Sequence, residues 1–233
     1  MNLTENQVIN IPVPIRTETY EPVANEFLIK LIKEISGDYS YDLAEANYKA
    51  ARGGEVVVGT YTFFSDDDDM GMQIAFSNSY DKSRKVTLAS GATVFICTNG
   101  MINAEEVFTR KHTGTVRDDL IEMIEVHINK MKNNFNSLVD FKDSSRRVDM
   151  SINEMFKIVG NMFFSSELLS IRQLSSLKEQ FYDRNFGILG ERTTLWNIYN
   201  WITETYKKEH PSTYIQKHIK LHNHFTNLLN EYY

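Results

Sequence analysis

The hydrophobic pattern of this chain changes its period once, near residue 115, and that change limits the fold more than any other feature. Before it, short runs of β-branched and aromatic residues alternate with polar turns, a pattern typical of an antiparallel meander. After it, apolar residues recur at helical spacing. We therefore predict an α+β fold, in which an antiparallel sheet of about four or five strands in the N-terminal half supports a helical C-terminal half packed on one of its faces.

Short runs in the first half are the predicted strands, and turn-forming residues separate them. The strands are Val56–Phe64, Met72–Phe76, Lys85–Ala89 and Thr93–Cys97, and the turns are Asp66–Asp69, Asn78–Ser83 and Ser90–Gly91. The segment Val8–Ile15 alternates and contains two prolines. It is predicted to be an extended arm or an edge strand, since proline cannot donate to a sheet hydrogen bond.

Helices are predicted before and after this sheet region. The first begins at Glu21–Pro22 and ends near Gly37, because proline suits a first helical turn. The later helices are predicted around Leu120–Leu138, Ile152–Phe164, Leu168–Tyr182 and Thr193–Lys208, and from Pro211 to about Leu229. Residues 1–115 thus form a helix-plus-sheet region and residues 116–233 a helical region. No flexible linker separates them, so we expect one continuous domain.

Composition and charge exclude several broad classes of protein. The 233 residues carry a formal net charge of −6, so any contact with nucleic acid must come from a local basic patch. A single cysteine cannot form a disulfide within the chain, which suits a reducing compartment. The first residues lack the basic and apolar parts of a signal peptide. No apolar stretch approaches the ~18 residues of a spanning helix, and we expect a cytoplasmic protein.

Two clusters of potential metal ligands have simpler interpretations. Asp66–Asp69 could bind a hard cation, but the run lacks the ligand spacing of a calcium loop, and a solvated hairpin tip is favoured. His218 and His222 lie one helical turn apart, with His224 nearby. Ile219, however, occupies the position where a zincin has its glutamate. A polar C-terminal helix without a metal ion is therefore favoured.

Catalytic and cofactor sites are also disfavoured. Cys97 would need a histidine such as His112 beside it to act as a nucleophile, and a cysteine within an apolar strand usually belongs to the core. The nearest match to a phosphate-binding loop, Arg52–Gly54, precedes a strand and so offers no helix N-terminus to a phosphate. No cofactor is predicted, and a hydrolase that uses Cys97 and His112 is the least favoured functional hypothesis.

Two basic clusters remain, and both are predicted at turns of the sheet. The residues are Lys82, Arg84 and Lys85 in one turn, and Arg110 and Lys111 after the last strand. If the meander folds back on itself, both clusters project from one end of the sheet, near Tyr80. Basic residues beside aromatic ones on a sheet bind single strands through phosphate contacts and base stacking. Two ordinary solvated turns are the alternative interpretation.

Part of the sheet region resembles a known family, domain of unknown function 932. The resemblance is carried by Asn78–Ser83, Gly91, Val94–Gly100 and Arg110–Thr113. A weaker match near Leu195–Asn200 departs from the family pattern, because Asn197 and Trp201 replace a glycine and an alanine. Proteins of this family occur in phages, plasmids and prophages, so the resemblance implies a mobile-element protein in a bacterial cytoplasm, without implying an activity.

The polar residues of the resembling segment fall into two groups. Asn78, Asp81, Asn99 and Gly100 are turn-forming types, and the fold alone can account for them. Arg110–His112 has no comparable structural reason, and it favours a functional patch.

We therefore hypothesise a non-enzymatic phage or plasmid DNA-metabolism protein that binds single-stranded DNA, as an accessory in replication or recombination. The residues assigned to binding are Lys82, Arg84, Lys85, Arg110 and Lys111, with base stacking on Tyr80. The alternative is a protein-interaction module that inhibits a host defence or a host enzyme, which the acidic net charge and the aromatic content also suit. The partner, and whether the chain self-associates, stay open.

Overall fold

The computed structural model describes residues 1–95, 99–183 and 193–232, and the strands among them form one six-stranded sheet. The strands are β1 (Asn2–Leu3), β2 (Leu43–Ala51), β3 (Val56–Phe63), β4 (Met70–Ser79), β5 (Val86–Val94) and β6 (Asn99–Arg110). Their order across the sheet is their order in the sequence, and every neighbouring pair is antiparallel. The sheet is therefore the meander that the alternating pattern predicts.

Besides the strands, the described chain contains α-helices and a short 3₁₀ turn at Arg52–Gly54. The α-helices are α1 (Glu5–Ile9), α2 (Asn25–Asp38), α3 (Val116–Arg147), α4 (Ile152–Phe164), α5 (Ile171–Asp183), α6 (Leu195–Tyr206) and α7 (Tyr214–Asn230). The α+β class is confirmed, and α4 has the predicted bounds. None of the helices in the described ranges is long and apolar enough to cross a membrane.

Local sequence signals fix several helix ends. Capping boxes start four helices and pair Thr4 with Gln7, Ser151 with Glu154, Ser170 with Gln173, and Thr194 with Asn197. The long helix α3 has Asp118 and Asp119 in its first turn and Arg146 and Arg147 in its last. These charges complement the helix dipole at both ends.

Helices pack on both faces of the sheet, whereas the prediction placed them on one. Ile74 of β4 shares a hydrophobic core with Leu120 of α3. The next residue, Ala75, shares a second core with Ile215 and Ile219 of α7. Because successive side chains of a strand point to opposite faces, α3 and the start of α7 lie on opposite sides of the sheet. We call these sides the α3 face and the α7 face.

Strands β2 and β6 lay outside the predicted set, and the predicted turn at Ser90–Gly91 is wrong. Strand β5 continues through both residues, with a shift of register between Ala89 and Gly91. A Cβ atom on Gly91 would lie 1.8 Å from the carbonyl oxygen of Met101 in β6. The glycine therefore permits the close approach of two backbones, which is a common reason for glycine within a strand.

The prediction of an extended arm at Val8–Ile15 is also wrong for its first two residues. Val8 and Ile9 belong to α1, which the capping box of Thr4 and Gln7 begins. The edge strand lies earlier, at β1, where Asn2 pairs with Lys49 of β2. The capping-box pattern Thr-x-x-Gln was the signal for this helix.

Candidate nucleic-acid interface

The two turns that carry the basic clusters lie side by side at one end of the sheet. Residues 80–85 connect β4 to β5, and Val86 at the start of β5 pairs with Arg110 at the end of β6. Arg52, between β2 and β3, reaches the same end and donates to the carboxylate of Asp81. The basic residues that the meander gathers here are Lys82, Arg84, Lys85, Arg110 and Lys111, together with Arg52.

Side-chain hydrogen bonds hold the β4–β5 turn in one conformation. The carboxylate of Asp81 accepts from the backbone N–H of Ser83 at 3.0 Å and also from its hydroxyl. Burial opposes the ionised form of Asp81, but the hydrogen bonds from Ser83 and Arg52 outweigh it and lower its pKa to about 2. The Ser79 hydroxyl donates to the carbonyl oxygen of Arg84 at 3.0 Å and accepts from its N–H at 3.1 Å. The turn thus presents its basic side chains on a fixed backbone.

The five predicted cations differ in how free they are to bind a phosphate. Arg110 is paired with Asp119 in the first turn of α3. The ammonium of Lys82 lies 4.6 Å from the ring centroid of Tyr20, a cation–π arrangement. The remaining cations, which are exposed and form no ion pair within the described ranges, are Arg84, Lys85 and Lys111.

Arg84 and Lys85 line a polar pocket of about 250 Å³ on the α7 face. Its other polar walls include the hydroxyls of Ser77, Ser83, Thr87, Thr109 and Ser212, and none of the described lining residues is acidic. Ser77, Thr87 and Thr109 are cross-strand neighbours on β4, β5 and β6. Cations and hydroxyl donors that converge in this way suit the oxygens of a phosphate.

These hydroxyl residues were missed from the sequence. The alternation Val86-Thr87-Leu88 was a usable signal that Thr87 lies opposite the α3 core. Ser212 precedes α7, more than a hundred residues further along the chain, and only the packing of α7 brings it to the pocket.

Tyr80 does not present its ring to solvent, in contrast to the predicted stacking role. Its side chain is 8% exposed, and its hydroxyl accepts from the backbone N–H of Asn25 at 2.9 Å. Burial accordingly raises the pKa of Tyr80. The residue anchors the start of α2 to the end of β4.

Two residues of the segment Arg110–His112 have structural contacts after all. Arg110 ties the end of β6 to Asp119 of α3. His112 is buried, and its ring lies 5.4 Å from that of Tyr20. Its carbonyl oxygen accepts from the N–H of Glu21 at 2.8 Å, and burial lowers its pKa. Of the three, only Lys111 keeps an exposed side chain without such a contact.

The acidic run Asp66–Asp69 is a solvated tip only in part, because Asp67 and Asp69 pair with α3. Asp67 accepts from the buried ammonium of Lys142, and Asp69 lies 2.9 Å from Arg146. Burial opposes ionisation of Asp67, but the bonds from Lys142 and from two backbone N–H groups hold its pKa below the usual value. Asp66, 3.3 Å from Lys132, and Asp68 remain exposed.

The C-terminal histidines are core residues. His218 and His222 are 1% and 5% exposed, and their rings pack on Tyr214 and Phe141 at 4.4 and 4.8 Å. Among the described residues, no group of three or more histidine, cysteine or carboxylate side chains converges in a way that could hold a metal ion. Cys97 lies outside the described residues.

The model of one protein family, described as "Domain of unknown function (DUF932)", matches residues 13–226. The resembling segments Asn78–Ser83 and Arg110–Thr113, as well as Leu195–Asn200 in α6, all fall within that range. No curated protein and no solved structure matches the chain. Since the match covers most of the chain, the protein belongs to the DUF932 family of domains of unknown function.

Proposed function

We propose that this protein binds single-stranded DNA in the cytoplasm of a bacterium that carries a phage or plasmid, as a non-enzymatic accessory in DNA replication or recombination. The observation that carries the proposal is the basic pocket at one end of the sheet, where Arg84 and Lys85 adjoin hydroxyls and no carboxylate among the described residues. Lys111 lies at the same end of the sheet, so a backbone with several phosphates can contact all three cations.

Whether a basic side chain already has a partner decides which residues we assign to phosphate binding. Within the described ranges Arg84, Lys85 and Lys111 have no carboxylate to displace, so they supply the phosphate contacts. Arg110 and Lys82 already have partners in Asp119 and the Tyr20 ring, and they serve mainly to hold the turns in place. With Tyr80 buried, stacking at that position contributes nothing, and binding depends chiefly on charge.

The test is fluorescence anisotropy of a labelled single-stranded oligonucleotide across a salt series. Three phosphate contacts predict a log–log salt slope of about −2, since each contact on a single strand contributes about −0.7. Changing Arg84, Lys85 and Lys111 together to Gln should abolish binding at moderate salt. The matched control changes three exposed lysines elsewhere, Lys130, Lys178 and Lys220, so the net charge is equal but the pocket is intact.

Equal losses in both triple variants would show that only net charge matters, and no binding by the wild-type protein at low salt would reject the proposal. Either result would leave the protein-interaction function as the stronger candidate.

One observation already favours that candidate. An apolar groove of about 510 Å³ lies between α4 and α5, and Phe156 and Ile171, which line it, are 55% and 77% exposed.

A further inference from the structure

A second cavity, of about 360 Å³, lies on the α7 face above β2 and β3. Its floor is polar, because Lys49 of β2 and Thr60 and Thr62 of β3 point to this face. Lys207, after α6, and Tyr214, the first residue of α7, form the opposite wall. The volume falls within the usual range for small-ligand sites, about 300–1,000 Å³.

One buried polar side chain that lines this cavity has an unused hydrogen-bonding atom. Gln73 of β4 is 4% exposed. Its Nε2 donates to the hydroxyl of Thr93, which in turn lies 3.2 Å from that of Thr62. The Oε1 atom of Gln73 has no hydrogen-bond partner within the described residues. Buried polar groups in proteins are nearly always paired, so a polar group that enters the cavity and reaches this carboxamide would complete its hydrogen bonding.

Lys49 gives the same cavity a cation that no carboxylate neutralises within the described ranges. Its ammonium donates to the carbonyl oxygen of Lys207 at 2.8 Å and lies 5.0 Å from the ring centroid of Tyr214. Burial, and then the neighbouring charge of Lys207, lower the pKa of Lys49. An anion beside this ammonium would favour its charged form and so oppose both effects on the pKa. Glu45, an exposed residue, also lines the cavity. Its carboxylate repels an anion, so a bound anion lies nearer to Lys49.

One row of cross-strand neighbours on the α7 face lines both this cavity and the basic pocket. Lys49 pairs with Val58, Val58 with Ser77, and Ser77 with Thr87. Lys49 and Val58 line the cavity above β2 and β3, whereas Ser77 and Thr87 line the basic pocket. The start of α7 separates them, because Tyr214 lines one cavity and Ile215 the other.

We propose that the cavity between β2, β3 and the start of α7 binds a single nucleotide, with the phosphate at Lys49 and a polar edge of the base at Gln73. A glutamine carboxamide offers the donor and acceptor that base edges require, and a lysine binds a phosphate as a point charge. The choice of a nucleotide among organic anions rests on the proposed function, whereas the site itself rests on the unpaired carboxamide and on Lys49.

The probe is deoxyadenosine monophosphate, titrated into the whole protein and followed by two-dimensional NMR of the glutamine side-chain amides and by calorimetry. We expect saturable shifts of the Gln73 amide signals and an affinity at least tenfold above that of inorganic phosphate. Lys49→Met and Gln73→Leu should each weaken binding by about tenfold, the effect of one lost polar contact. Lys220→Met, at an exposed lysine of α7, is the control and should bind as the wild type does.

The design separates this inference from the proposed function and does not depend on one variant. The NMR signals come from the wild-type protein, so they remain informative if Gln73→Leu folds poorly. Nucleotide binding without oligonucleotide binding would reject only the proposed function. Absence of nucleotide binding, shifts that spare Gln73, or binding that Lys49→Met leaves unchanged would overturn the inference, whatever the oligonucleotide result.

Discussion

Two residues of the family-resembling segment, Asn78 and Gly91, lie where a small change alters the packing of a whole strand. Asn78 is 1% exposed, and its amide donates to the carbonyl oxygen of Val23 at 2.7 Å and to Asn25 at 2.9 Å. It therefore joins β4 to the start of α2. Gly91 instead acts through the space it leaves for β6. The shared sequence pattern thus includes residues whose role is structural.

Gly91→Ala should destabilise the protein by at least about 2 kcal/mol, because the added methyl group meets backbone that cannot move without separating β5 from β6. Urea unfolding followed by circular dichroism measures this. Gly160→Ala is the matched control, since a Cβ there has no atom within 4 Å. Gly160 lies inside α4, so the control should gain about 0.5–1 kcal/mol from helix propensity. Equal stability of the Gly91 variant and the wild type would contradict the proposed close approach.

At the scale of elements, α3 joins the two kinds of structure in the molecule. It packs on β4, β5 and β6 through its apolar stripe, and its polar side holds the β3–β4 turn. Lys142 is 5% exposed on its side chain and contacts Asp67, whose side chain is 16% exposed. These residues are 75 positions apart in the sequence. A run of four aspartates therefore gave no local indication that Asp67 and Asp69 would pair with a helix.

Lys142→Met should cost about 3 kcal/mol in the free energy of unfolding, because it leaves the carboxylate of Asp67 partly buried without its partner. The double variant with Asp67→Asn should recover part of that loss, and the four urea curves give the coupling energy. Lys132→Met is the control, since its pair with Asp66 is exposed on both sides and should contribute less than about 1 kcal/mol. A Lys142 variant no less stable than the Lys132 variant would show that the buried pair is not stabilising.

At the scale of the whole molecule, α7 closes the fold. Its first turns pack on the α7 face, and further along it Phe225 enters the main core with residues of α3 and α6. Two histidines lie within this packing. Burial lowers the pKa of both His218 and His222 to about 4. For His218 the charge of Lys49 acts in the same direction, whereas Glu209 opposes it.

The protein should lose stability as the pH falls from about 6.5 toward 4. A histidine with a lowered folded pKa is protonated first in the unfolded chain, so its contribution is complete above the ordinary value of about 6.5 and declines below it. Over this interval the two histidines together should cost a few kcal/mol. The urea midpoint measured between pH 7 and 4.5 tests this, and His222→Leu should flatten the dependence. His210→Asn, at an exposed position, should not, and a wild-type midpoint independent of pH would refute the prediction.

The sequence predicted the fold class and most helices because their signals are local. Ile152–Phe164 has a capping residue and an apolar stripe. Strand β2, Leu43–Ala51, is mostly alanine and polar residues, so its pairing with β3 and not its composition makes it a strand. The meeting of the basic turns followed from the meander, but the burial of Tyr80 depends on where α2 docks. Pairing across long sequence distances has no signature in a single sequence.

The order of the strands across the sheet also has a consequence for biosynthesis. Each strand pairs only with strands adjacent to it in the sequence, so the sheet can assemble strand by strand as the chain leaves the ribosome. The α3 face gains its cover soon afterwards, because α3 follows β6 directly. The α7 face must wait for the last of the described helices. Until then a nascent chain exposes Ala75 and Ile102 of the second core, and this is the interval in which a chaperone has apolar surface to bind.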